Sequence, residues 1–187
     1  MNTAQWQSDL ATYVKMRILI VDDEPANVAL LEDLLSDQGY INLKSTTDSR
    51  RAPEFCREFD PDLILLDLCM PHVDGFAVLE SLRAERSEVY LPIIVLTADV
   101  NEESKRRALH FGATDFLHKP FDHIEVLLRI RNLLETRRIH QLLDTRRAAL
   151  EETVHARTTE LHDVKGAFVE CAKQFHQVLE KAKSRPE

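Results

Sequence analysis

Three runs of four apolar residues, Ile18-Leu19-Ile20-Val21, Leu63-Ile64-Leu65-Leu66 and Ile93-Ile94-Val95-Leu96, constrain the fold of this 187-residue chain more than anything else in it. Every position is β-branched or Leu. A strand with one face in water alternates apolar and polar residues, so unbroken runs of this length belong to parallel strands covered by helices on both faces. Two weaker strands are expected at Ile41 to Thr46 and at Ala113 to His118, the second introduced by Gly112. Between the strands lie segments with apolar residues three and four apart: Val28, Leu31, Leu34 and Leu35; Phe76, Leu79 and Leu82; Ala108 and Phe111. The alternation predicts an α/β fold, a doubly wound five-stranded parallel sheet whose ligand crevice lies just beyond the carboxyl ends of the strands.

The residues just past each strand are therefore the place to look for chemistry. Asp22, Asp23 and Glu24 come after the first run, Asp67 after the second and Thr97 after the third, and the presumed fifth strand ends at Lys119-Pro120. Each residue alone has an ordinary explanation, a helix cap for an aspartate and a chain break for Lys-Pro. Together at one sheet edge, carboxylates from separate strands repel one another unless a cation shares them. Oxygen ligands in small number suit Mg²⁺, which keeps several waters. Lysine and hydroxyl opposite them suit an incoming oxyanion, most simply a phosphoryl group, with a carboxylate as its nucleophile.

Charge and composition narrow the field further. The chain carries a net charge of −8, from 24 Lys+Arg against 32 Asp+Glu. The acidity belongs to residues 1–120, which sum to −9, while 121–187 sum to +1. Binding along a nucleic-acid backbone needs clustered positive charge, so no direct nucleic-acid partner is expected. Three cysteines, Cys56, Cys69 and Cys171, form neither a disulfide framework nor a zinc spacing. The first fifteen residues lack the basic start and apolar run of a signal peptide, and no apolar stretch is long enough to cross a bilayer. A cytoplasmic location without membrane contact is the expectation.

Beyond Pro120 no proline occurs until Pro186, and of 4 glycines only Gly166 lies in the last third. A helix of about 60 residues is implied, roughly 90 Å at 1.5 Å per residue. From Leu143 its apolar residues fall on a heptad. Val154, Leu161, Phe168, Phe175 and Ala182 occupy one seam position, and Leu143, Leu150, Val164, Cys171 and Val178 the other. The exceptions are Arg147 and Arg157, for which no acidic partner is evident at the flanking positions, so the upper coil is expected to be weak. A homodimeric coiled coil is the favoured reading, with a helical hairpin turning near Gly166 as the alternative. The expected organisation is an extension at 1–15, a globular domain at 16–136 and a helical coiled-coil extension at 137–187.

Residues 17–120 resemble the receiver domain of two-component response regulators, with its CheY-like, flavodoxin-like topology. The resemblance rests on Ile18-Leu19-Ile20-Val21-Asp22-Asp23-Glu24-Pro25, on Leu65-Leu66-Asp67-Leu68-Cys69-Met70-Pro71 through Asp74-Gly75-Phe76, on Val95-Leu96-Thr97-Ala98, and on Phe116-Leu117-His118-Lys119-Pro120-Phe121. It implies that Asp67 is the phosphoacceptor for a histidine kinase or phosphotransfer protein. It also implies that Asp23 and Asp67, with the backbone carbonyl of Cys69, hold Mg²⁺ or Mn²⁺, and that Asp22 does so mainly through water. Lys119, Thr97 and Ala98 would then meet the phosphate while Phe116 rotates into space Thr97 vacates. Cys69 and Asp99, each two past a site residue, occupy positions that tune phosphate loss. The domain would catalyse only its own phosphorylation and dephosphorylation.

The helical stretch Ile124 to Leu143, with Leu150 to Leu161 after it, resembles the linker joining receivers to HD-GYP cyclic-dinucleotide phosphodiesterases, yet no such catalytic motif, no GGDEF-like run and no basic helix-turn-helix unit is present. The output is thus a downstream protein partner or a missing domain. His162-Asp163-Val164-Lys165-Gly166 also matches a loose histidine phosphotransfer pattern, with a plain exposed histidine as the alternative.

Overall fold

The computed structural model describes residues 13–70, 74–85, 90–98 and 101–183. Among these, five strands alternate with five helices: β1 (Arg17–Val21), α1 (Pro25–Asp37), β2 (Asn42–Thr46), α2 (Ala52–Phe59), β3 (Leu63–Asp67), α3 (Gly75–Glu85), β4 (Ile93–Thr97), α4 (Glu102–His110), β5 (Asp115–His118) and α5 (His123–Lys183). A single 3-10 turn, Ser49–Arg51, leads into α2. The strands form one sheet in the order β2-β1-β3-β4-β5, every pairing parallel. The doubly wound architecture predicted from the apolar runs is the one observed.

Both faces of the sheet are covered, which is why the central strands contain no polar alternation. Leu19, Val21, Ile64, Leu66, Ile93 and Val95 pack against Phe55 of α2, Leu79 and Leu82 of α3 and Ala108 of α4. Their neighbours Ile18, Ile20, Leu63, Leu65, Ile94 and Leu96 pack on the other face, against Leu31 and Leu35 of α1 and Val126, Ile130 and Leu134 of α5.

The two weaker strands begin later than expected. Ile41 is 70% exposed, and its N–H donates to the Val14 carbonyl rather than to β1, so β2 starts at Asn42. At the other edge, Ala113 N–H donates back to Ala108 O and closes α4, with Gly112 at φ +95° making the turn, so β5 starts at Asp115. Arg83 fixes this corner. Its guanidinium donates to Gly112 O at 2.7 Å, Leu91 O at 2.6 Å and Thr114 Oγ1 at 3.2 Å, tying the end of α3 to the entries of β4 and β5.

The chain divides into two units, Met1–His140 and Gln141–Glu187. In the first, Asp122 caps α5, its Oδ1 accepting from Ile124 N–H and Glu125 N–H. Further along, Arg137 is buried, donates to Tyr90 O at 2.6 Å and lies 3.6 Å from Asp62, whose other oxygen accepts Arg17 N–H. His140 stacks on Tyr90 with ring centroids 4.3 Å apart. Of the expected N-terminal extension, residues 1–12 lie outside the described residues, while Tyr13 and Met16 are buried in the core.

The second unit by itself is the remainder of α5. The helix passes through Gly166 without a turn, and a Cβ added there would meet nothing within 4 Å, so the hairpin alternative is not formed. Its four threonines turn their hydroxyls to the carbonyl four residues back, Thr145 to Gln141, Thr153 to Ala149, Thr158 to Val154 and Thr159 to His155, which satisfies the hydroxyls within the helix. The expectation that the two seam arginines lack acidic partners is corrected. Arg147 bonds Glu151 at 2.8 Å and Arg157 bonds Glu160 at 3.1 Å, because helical spacings of four and three bring those carboxylates alongside.

Replacing Arg137 with Ala deletes one side of a buried pair and leaves the Tyr90 carbonyl without its donor. Urea denaturation should show a loss of about 2–4 kcal/mol.

Candidate functional site

The register explains why distant residues meet. Val21 pairs with Leu66, so Asp22 and Asp67 leave their strands side by side, and Asp67 itself pairs with Leu96. Thr97 pairs with His118, which brings Lys119 to the same edge. The ladders continue past the strand ends: Asp22 N–H donates to Thr46 O, Leu68 N–H to Leu96 O and Lys119 N–H to Thr97 O. Backbone pairing therefore places all four positions at one edge of the sheet.

Lys119 then joins the two buried carboxylates, its Nζ donating to Asp22 Oδ2 at 2.7 Å and to Asp67 Oδ2 at 2.8 Å. Burial alone would push the ammonium down. Its hydrogen bonds to Asp22 and Asp67 and their negative charges outweigh that, holding Lys119 above the ordinary lysine value. The second oxygen of each aspartate is bound locally. Asp22 Oδ1 accepts from Glu24 N–H at 3.0 Å and Asn27 Nδ2 at 3.1 Å, and Asp67 Oδ1 accepts from Cys69 N–H at 3.1 Å. No motif in the sequence singles out Asn27. Its one signal there is a position in the first turn of the helix that comes after Asp22.

Asp22, Asp23 and Asp67 offer carboxylate oxygens that all lie within 4.8 Å of one another, with Asp23 half-buried at the mouth. An all-oxygen set open on one side fits a hard divalent cation. Thr97 is buried, with its Oγ1 4.0 Å from Cys69 Sγ, while Ala98 is exposed next to it. Phe116 is half-buried against the core, under Lys105 Nζ at 4.1 Å and edge-on to His118. Asp99 lies outside the described residues. His162, Lys165 and Gly166 are exposed in the second unit.

Gly75 closes the floor of the site. A Cβ there would stand 2.5 Å from Leu68 Cα and 2.8 Å from Asp67 O, so only glycine lets α3 start against the backbone of the central aspartate. Asp74 caps that helix, its Oδ1 accepting Phe76 N–H, and it pairs with Arg107 of α4 at 3.3 Å.

The close approach at Gly75 and the bridge at Lys119 each set a measurable outcome. Gly75→Ala should lower stability by about 2–3 kcal/mol in urea titration, since backbone cannot move aside as a side chain can. Because Lys119 is raised in the folded chain, its contribution is complete below the ordinary lysine value of 10.5 and is lost as pH rises through the folded value. The stability difference between wild type and Lys119→Met should stay flat from about pH 6 to 9 and change only at higher pH.

Comparison with known proteins agrees with the geometry. Residues 18–131 match the response regulator receiver domain family. The chain is 40% identical over 126 residues to the DNA-binding dual master transcriptional regulator RpaA of Synechocystis, covering 67% of this chain and 52% of that one. It is 30% identical over 152 residues to a probable cyclic di-GMP phosphodiesterase of Vibrio cholerae, covering 81% of this chain and 34% of that one. The chain thus spans about half or less of these two relatives. Among solved structures, the Vibrio cholerae chemotaxis protein CheY4 superposes with a TM-score of 0.60 at 28% identity, over 64% of this chain and 98% of that one. With its parallel sheet, its acidic edge and these relatives, the chain belongs to the response regulator receiver domain family.

Proposed function

We propose that the protein accepts a phosphoryl group on Asp67 from a histidine kinase or phosphotransfer protein and passes the change on through α5. The observation that carries this reading is Lys119 bridging Asp67 and Asp22 beside a half-buried Asp23. In the transfer, an Asp67 carboxylate oxygen bonds to phosphorus as the P–N bond of the donor phosphohistidine breaks. The imidazole nitrogen keeps the electron pair and then takes a proton. Lys119 stands 2.8 Å from Asp67 Oδ2, where it neutralises a phosphoryl oxygen as charge develops. Asp22, Asp23 and Asp67, with the Cys69 carbonyl, would hold Mg²⁺ or Mn²⁺, which when bound offsets the negative charge of the phosphoryl group.

In this reading Thr97 and the backbone at Ala98 receive the phosphoryl oxygens. Phe116, half-buried under Lys105, is the ring that responds, and Cys69 and Asp99 set the lifetime of the acyl phosphate. The state of Asp67 is read out by packing of the exposed stripe on α5 with a second copy or a downstream partner. Among the described residues no helix is long and apolar enough to cross a membrane. A cytoplasmic location accords with the family, and the receiver catalyses no reaction but its own modification.

A second reading, the receiver segment of a cyclic-dinucleotide phosphodiesterase, draws on the Vibrio cholerae match, whose 152 residues outrun the family match at 18–131. A reading frame that continues past Glu187 into a metal-dependent phosphodiesterase motif would decide for it.

With acetyl phosphate and Mg²⁺, one hydroxylamine-labile phosphate per chain is expected by mass spectrometry. Asp67→Asn should abolish it, EDTA should reduce it at least tenfold, and acid-labile phosphate on His162 would point instead to phosphotransfer.

A further inference from the structure

Within the second unit, Leu143, Leu150, Val154, Leu161, Val164 and Phe168 are all exposed, from 55% for Leu143 to 74% for Phe168. They repeat at intervals of three, four and seven, which places them on one stripe. The side chains of Cys171, Phe175 and Val178, the next seam positions, lie outside the described residues. Apolar residues at heptad spacing along one helix form the seam by which helices wind about one another. We propose that it pairs with a second copy of this chain as a parallel, in-register coiled coil. This inference rests on the dimeric readout of the proposed function.

Charge complementarity selects the partner and the direction. With Val154 and Val164 as the two seam positions, Arg146 and Glu160 flank the seam on one side and Glu151 and Lys165 on the other. In a parallel, in-register pair each flanking residue meets the one five positions further along the partner helix. Arg146 then faces Glu151 of the second copy and Glu160 faces Lys165, each pairing occurring twice by symmetry. No flanking pair in this arrangement is like-charged.

An antiparallel pair fares worse, because there each flank faces its own kind. Matching Arg146 with Glu160 of the second copy sets Glu151 against Glu151, and matching Glu151 with Lys165 sets Glu160 against Glu160. The register between these two avoids like charges but gives one attractive pairing, Asp144 with Lys165, occurring twice, against the two pairings, each occurring twice, of the parallel form. Seam arginines do not forbid the parallel form. Arg147 is held by Glu151 and Arg157 by Glu160 of the same helix, which draws both guanidinium groups out of the seam toward its flanks and offsets their charge.

Cross-linking tests the arrangement on the whole 187-residue chain. Val154→Cys and Val164→Cys proteins, each also carrying Cys69→Ser and Cys171→Ser and differently tagged, are mixed, allowed to exchange and oxidised gently, and sedimentation is run on the reduced samples. The parallel, in-register form predicts disulfides between identical positions, Val164→Cys to itself and Val154→Cys to itself, in a species of twice the chain mass. Disulfides formed only between the 154 and 164 variants, with dimeric mass retained, would overturn the parallel arrangement and leave the dimer standing. A monomer mass without disulfides at concentrations well above micromolar would overturn the dimer reading itself. Dimeric mass without a disulfide at either position would overturn the parallel, in-register arrangement.

Discussion

The bridge from Lys119 to Asp22 and Asp67 is the interaction on which the functional end of the fold depends. Two buried carboxylates on adjacent parallel strands would repel across a distance at which such charges interact strongly. A lysine delivered by the last strand, 97 residues from Asp22 and 52 from Asp67, turns that repulsion into a link across the sheet. Long-range links of this kind fix topology as well as charge. β5 cannot leave the edge of the sheet without stranding both aspartates, and α5 comes directly after β5.

Much of this was legible in the residues alone. The runs at 18–21, 63–66 and 93–96 read as central strands because burial on both faces leaves no position for a polar residue, and they are the central strands of the sheet. Edge strands are less legible because one side of them is solvated. Nothing in the letters distinguishes Ile41, held by the chain before β1, from a first strand residue. The acids, hydroxyl and lysine at the strand ends could be found because the strand ends could be found. Asn27, Arg83 and Arg137 could not, since each gains its role from a carboxylate or carbonyl that only the folded chain brings near. Glu151 and Glu160 were missed for a different reason. Both lie on the flanks of the heptad, where attention goes to pairing between helices, and their contacts with Arg147 and Arg157 along the same helix, four and three residues apart, are easily passed over.

The two units draw their order from different sources. The described residues up to His140 are held by an enclosed core and a few buried polar clamps. From Gln141 onward the helix relies on local terms, strong helix formers and ion pairs three and four residues apart. Local terms are worth only a few tenths of a kcal/mol each, so such a segment is ordered by number rather than by any one contact.

Gly75 and Arg83 together give α3 a mechanical character distinct from that of its neighbours. At its start the helix backbone rests directly on the carbonyl of Asp67, with no side chain between to absorb a shift by changing rotamer. At its end Arg83 grips the entries of β4 and β5. The helix is thus anchored at both ends, by backbone contact at its start and by one long side chain at its end. A shift at the central aspartate meets little give at this helix's start, whereas α4, coupled to the same region through exposed ion pairs such as Arg107 with Asp74, can yield.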